Sequence, residues 1–250
     1  MIKAIFFDLD GTIRHNEPRG TDVFAQRAAE LGLRVRDDDL LRAMRWEHYY
    51  WALSHELRED EKRLGRMSDD FWRQYAHRQL VALGASTAQA VRLAPQLHEY
   101  MSTAYTPQSV VPADLPGVLQ SLNQAGFKLA VISNRDQPFD DLLGKLGLEA
   151  HFAFALGSGE IQIWKPDPGI FLHACKLIGV QAAEAVYVGD NYFADVVGAR
   201  AASLTPVLYD PRGIFDDPEC TVIRSFSELP GALGVDGRLP NLNAARTRTK

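Results

Sequence analysis

Several apolar, strand-like runs in this chain end in a chemically active side chain, and this feature limits the possible folds more than any other. Residues 2–7 lead into Asp8-Leu9-Asp10-Gly11-Thr12, residues 127–132 into Ser133 and Asn134, and residues 185–188 into Gly189 and Asp190, with Asp195 shortly after. Helical periodicity fills residues 118–125, 139–146 and 170–178, and further strand-like runs occupy 152–156, 206–209 and 221–223. Strand and helix therefore alternate as βαβ units do. The order predicts an α/β fold, a Rossmann-like core with a central, mainly parallel sheet. Ligands of open parallel sheets bind beyond the carboxyl ends of the strands. The polar groups after the runs, with Lys165-Pro166 in a loop, are thus expected to meet at one site.

Residues 21–105 depart from this alternation. They carry helical periodicity with no strand signal: Phe24, Ala28 and Leu31 share one face, and Phe71, Tyr75, Arg78 and Leu80 belong to a second helix that starts at Ser68-Asp69 and ends near Gly84. The stretch is too long for a connecting loop. It predicts a helical cap at 15–105, with the catalytic core made of 1–14 and 106–235. Within the cap, Trp46, Tyr49 and Tyr50 fall on one helical stripe. Packing between cap helices is the favoured reading; lining the pocket entrance is the other. Arg42 and Arg45 are close enough in sequence to meet a second anionic group. Residues 238–250 contain Arg238, Arg246, Arg248 and Lys250 and no acid, and the end of the chain, 236–250, is expected to be a flexible basic tail.

The chemistry begins with Asp8 and Asp10. Carboxylates two apart just past a strand point the same way if the strand geometry continues, and they repel unless a cation or proton lies between them. Asp190 adds a third acid. Oxygen-only ligands favour Mg²⁺ over zinc, and the two cysteines, Cys175 and Cys220, lack metal-ligand spacing. A carboxylate nucleophile, a cation, a lysine and a hydroxyl are the parts of phosphoryl transfer to an aspartate. Each residue also has a plainer reading. Asp10-Gly11 favours turns, Ser133 is a possible helix cap, Lys165 a possible surface lysine, and Asp195 equally a first-turn helix acid. His15 and Asn16 are either substrate contacts or ordinary loop residues.

In chain order, FFDLDGT at 6–12, VISN at 131–134, KPDPGIF at 165–171 and VGDNYFADVVGA at 188–199 resemble the four motifs of the haloacid dehalogenase-like (HAD) hydrolase superfamily. The resemblance implies a Mg²⁺-dependent phosphatase with a helical cap inserted after the first motif. By it, Asp8 is the nucleophile that becomes an aspartyl phosphate and Asp10 the general acid and base. Asp8, Asp190 and the backbone carbonyl of Asp10 hold Mg²⁺. Asp195 supports the metal or positions Lys165. Ser133 and the amide of Asn134 or its neighbours bind the phosphoryl group, and Lys165 neutralises charge shared with the nucleophile. Dehalogenases of the superfamily lack the second acid of the first motif, so Asp10 points to phosphate chemistry: an ester oxygen leaves with a proton, a halide does not.

Composition fits that expectation. A net charge of −5 gives no reason to expect nucleic acid. No apolar run approaches a membrane span, and the chain enters its first strand with no signal-peptide pattern. With few cysteines, a cytoplasmic location is the simplest expectation. The expected partner is a small phosphorylated metabolite; monomer and homodimer both remain open. Two other functions share these motifs: a sugar phosphomutase on the same core, and a non-catalytic binding protein that retains the fold. The complete set of Asp8, Asp10, Lys165 and Asp190 counts against the last.

Overall fold

A computed structural model describes residues 1–234. The expected basic tail at 236–250 lies outside the described residues, as does residue 235. The chain forms two compact units, Met1–His15 with the chain from Val110 onward, and Asn16–Ser109. In chain order, β1 (Ala4–Phe7) belongs to the first unit and β2 (His15–Glu17) is the outgoing crossing. The second unit follows, with α1 (Gly20–Glu30), α2 (Asp37–Trp51), α3 (His55–Leu64), α4 (Asp69–Ala82) and α5 (Thr87–Thr103). The returning crossing is β3 (Gln108–Val110), which pairs with β2 in a two-stranded ribbon. The first unit resumes with α6 (Leu115–Gln124), β4 (Lys128–Ser133), α7 (Asp140–Lys145), β5 (Ala155–Gly157), α8 (Ser158–Ile161) and α9 (Pro168–Ile178). It ends with β6 (Ala185–Gly189), α10 (Val197–Ala201), β7 (Thr205–Tyr209), β8 (Thr221–Ile223) and α11 (Leu229–Ala232).

Six strands form one sheet in the order β5-β4-β1-β6-β7-β8, and every neighbouring pair is parallel. A sheet covered on both faces buries both sets of alternating side chains. Ile5 and Phe7 of β1, with Val131, Val186 and Val188, face Leu119, Leu122 and Leu143 from α6 and α7. Phe6, Ala130, Ile132 and Tyr187 face Ile170, Phe171, Ala174 and Ala199 from α9 and α10. The chain leaves β1 toward β4 and later returns to the other side at β6. This reversal opens a crevice at the carboxyl ends of the central strands. Phe7 lies level with both Val131 and Val188. The ladder runs one residue further, because the Asp8 N–H donates to the Val188 carbonyl at 2.8 Å.

The second unit has its own core. Phe24, Ala28, Leu80, Leu83, Leu93 and Leu97 are buried together. Ser68 caps α4 by accepting from the Phe71 N–H at 3.1 Å, which fixes where that helix starts. Around Tyr50, Leu57 and Phe71 lies an aromatic cluster that includes Trp46, Trp51, Trp72 and Tyr75. The Tyr50 and Tyr75 hydroxyls and the Trp51 indole find partners inside the unit. Buried Asp60 accepts from Tyr50 at 3.1 Å and from both arms of Arg78 at 2.6 and 3.0 Å. Half-buried Glu47 accepts from Tyr75 at 3.0 Å and from Thr21, and desolvation raises its pKa.

Three local expectations need correction. Tyr49 is exposed and donates to Glu56, while its neighbour Trp51 packs in the cluster, so the aromatic stripe turns by two residues. The strand expected at 152–156 is displaced to β5, because the Phe152 N–H is used by the tight turn before it, donating to the Glu149 carbonyl at 3.1 Å. The stretch 15–105, expected to be helical, begins with the short strand β2. Among the described residues, no helix is long and apolar enough to cross a membrane.

Candidate active site

Two glycines let acids crowd the ends of β1 and β6. A Cβ on Gly11, whose φ is +93°, would lie 2.3 Å from the Asp190 carboxylate. A Cβ on Gly189 would lie 2.2 Å from the Asp195 carboxylate. Only glycine leaves that space. Asp195 reaches back because the chain after β6 winds into a wide π-helical turn, Tyr192–Val196. Asn191 starts that turn by accepting from the N–H groups of Phe193 and Ala194, both at 3.0 Å. The Asn191 N–H in turn donates to Asp195 at 2.9 Å.

Lys165 joins the parts. Its buried ammonium donates to Asp8 at 2.6 Å, to Asp195 at 2.7 Å and to the Tyr187 hydroxyl at 2.8 Å. A lysine has three donors, and all three are used here. The Tyr187 hydroxyl in turn donates to the Ile132 carbonyl at 2.9 Å. The backbone of Lys165 is held as firmly. The Asn134 side chain accepts from its N–H at 2.7 Å and donates to its carbonyl at 2.9 Å. Ser158, at the start of α8, lies 2.9 Å from the same Asn134 oxygen. The Asn134 side chain is thus committed to Lys165, which leaves its backbone amide for any ligand. Ser133 is buried at the end of β4, and its hydroxyl makes no hydrogen bond among the described residues.

The Thr12 hydroxyl sits between two carboxylates, 3.3 Å from Asp8 and 3.1 Å from Asp190, and accepts the Asp190 N–H at 3.0 Å. Asp8, Asp190 and Asp195 can each turn one oxygen to within 4.8 Å of the others. Three carboxylates then face one ammonium, so the cluster carries surplus negative charge. Burial raises Asp8 to about 7, against the opposing pull of Lys165. Burial likewise raises Asp190, with the charge of Asp8 adding to it. For Lys165, burial works against the charged form, but Asp195 and Asp8 outweigh it and hold its pKa well above the usual lysine range. Such an oxygen-only, electron-rich cluster suits a hard divalent cation.

Asp10 lies apart from that cluster. It accepts from Arg14 at 2.9 Å and from both arms of the Arg135 fork at 2.8 and 3.0 Å. His15 packs its ring 5.9 Å from that of Tyr209. Tyr187, Ser158, Arg14 and Arg135 escaped the sequence reading. Tyr187 alone left a signal, as the one polar-tipped side chain in the strand AVYVG.

The family profile described as haloacid dehalogenase-like hydrolase matches residues 2–203. The chain belongs to that family. It is 32% identical to the human haloacid dehalogenase-like hydrolase domain-containing protein 3, over 96% of this chain and 98% of that protein. It is 31% identical to the phosphoglycolate phosphatase of Rhodospirillum rubrum, over 94% of this chain and 92% of that enzyme. Among solved structures, the 2-haloacid dehalogenase from Pseudomonas syringae pv. Tomato DC3000 is similar at 28% identity and a TM-score of 0.53, over 94% and 99% of the two chains.

Proposed function

We propose that this HAD-family hydrolase is a Mg²⁺-dependent phosphatase that cleaves a small phosphorylated metabolite through a phosphoryl group on Asp8. The observation that carries this reading is the buried ammonium of Lys165, shared between Asp8 and Asp195 beside Asp190. A carboxylate nucleophile with a cation fixed on it can accept a phosphoryl group whose oxygens are themselves negative.

An Asp8 oxygen attacks phosphorus and the ester P–O bond breaks, with Asp10 giving its proton to the departing alcohol. Asp10 then takes a proton from water, whose oxygen attacks the phosphorus and releases Asp8 and inorganic phosphate. Lys165 offsets the charge on Asp8 and on the transferring oxygens. The Ser133 hydroxyl and the Asn134 amide hold those oxygens. Asp8, Asp190, Asp195 and the Asp10 carbonyl are the groups that would hold Mg²⁺. The ion would neutralise phosphoryl charge.

Carbon–halogen cleavage, the activity in the name of the Pseudomonas syringae relative, is disfavoured by Asp10. A halide leaves unprotonated, so that reaction has no use for a second acid at this position. The chain enters the helical insert through β2 and leaves it through β3.

Phosphate release from an aryl phosphate tests the proposal. It should require Mg²⁺, stop with a chelator, and fall to background in Asp8→Asn. Activity that survives the chelator or the substitution would reject it.

A further inference from the structure

The Asp10 salt bridges have a chemistry of their own. Two guanidinium groups, those of Arg14 and Arg135, meet the Asp10 carboxylate. Arg135 grips Asp10 with a two-pronged fork, the geometry that suits a carboxylate or phosphate. It also follows Ser133 and Asn134 directly, in the loop that carries the phosphate-binding groups of the phosphatase reading. The Arg135 and Asp10 side chains are 37% and 38% exposed, and Arg14 is 18% exposed. A solute can therefore reach the pair.

Both Asp10 oxygens already accept N–H donors. A proton taken up from or given to a leaving oxygen changes the charge that both arginines hold, so the exchange is eased when at least one arginine is drawn to another anion. A neutral alcohol portion offers the freed guanidinium nothing in return. A carboxylate or second phosphate close to the ester oxygen offers an equivalent partner, and the exchange then costs little.

We propose that Arg135, backed by Arg14, is a specificity determinant that binds a second anionic group on the substrate and thereby releases Asp10. The preferred substrates are then phosphate monoesters with a carboxylate or second phosphate near the ester oxygen. This inference rests on the phosphatase reading and narrows it.

The test compares kcat/KM for phosphoglycolate and ethyl phosphate, which has the same carbon count but no carboxylate, in wild type, Arg135→Gln and Arg135→Lys. Aryl phosphate hydrolysis serves as a check on the chemical machinery. Wild type should favour phosphoglycolate by about tenfold or more, on the strength of hydrogen bonds to charged groups. Arg135→Gln should lower kcat/KM on phosphoglycolate by about ten- to a hundredfold, mainly through KM, and bring the ratio close to unity. Arg135→Lys should recover part of the ratio, because it keeps the charge and loses the fork. No preference in wild type, or equal losses on both esters in Arg135→Gln, would overturn the inference and leave the phosphatase reading intact. No phosphate release from any of the three esters by wild type would end both.

Discussion

At the scale of the residue, Lys165 is held by complete satisfaction of its donors. A buried ammonium with an unmet N–H is costly, and here Asp8, Asp195 and Tyr187 each take one. Tyr187 is therefore expected to be a positioning residue. Tyr187→Phe keeps the ring and its 4.9 Å edge-on contact with Phe171, but removes the acceptor for Lys165 and the donor to Ile132. Urea unfolding should show a loss of about 1–3 kcal/mol. kcat on an aryl phosphate should fall while KM changes little. Unchanged stability and unchanged kcat would mean that the hydroxyl is incidental. The motifs pointed to Lys165 with Asp8 and Asp195, but not to Tyr187 or the Asn134 side chain, which are remote in sequence and meet it only through the parallel sheet. Arg135 escaped for the same reason, being joined to Asp10 across 125 positions.

At the scale of the element, the strand ends do the positioning. Asp8 extends the β1 ladder, and Asp195 comes back over Gly189 by way of the π-helical turn. Gly189→Ala adds a methyl where the Asp195 carboxylate lies, and that carboxylate is pinned by Lys165 and the Asn191 N–H. Overpacking of this kind costs about 1–3 kcal/mol, and activity should drop sharply although no reacting group is lost. Gly117→Ala is the control. It lies in α6 with nothing within 4 Å of the added methyl, so it should keep activity and gain about 0.5–1 kcal/mol. Equal activity in the two variants would refute the packing argument. Most of these elements were readable beforehand: the α4 start at Ser68, the apolar run of β1 and the full extent of β8 all follow from local pattern. The ribbon of β2 and β3 was not, because three-residue strands carry too little alternation to register. Tyr49 was misplaced because its face of α2 is set by what α3 presents to it, here Glu56.

At the scale of the whole molecule, the charge distribution links ion binding to stability. The pKa of Asp8 is raised from 3.8 to about 7, and that of Asp190 is raised in the same direction. Between those values the folded protein holds more protons than the unfolded chain, so the contribution of these groups to stability declines as pH rises. A cation among the same carboxylates offsets what the lost protons leave behind. Millimolar Mg²⁺ should therefore raise Tm more at about pH 8 than at about pH 5. Differential scanning calorimetry reads this directly, and a shift that is equal or larger at the lower pH would contradict the assignment of the acid cluster.

In the proposed mechanism Asp8 carries the phosphoryl group and Asp10 moves the protons. Rapid-quench kinetics with an aryl and an alkyl phosphate, in acid that preserves acyl phosphates, follows the phosphorylated protein itself. Wild type should show a phosphorylated species that maps to Asp8 and is absent from Asp8→Asn. In Asp10→Asn, that species should form far more slowly from the alkyl ester than from the activated aryl ester, and it should decay slowly after either. A phosphorylated species that persists in Asp8→Asn would contradict the account, as would Asp10→Asn slowing formation equally from both esters with decay unchanged.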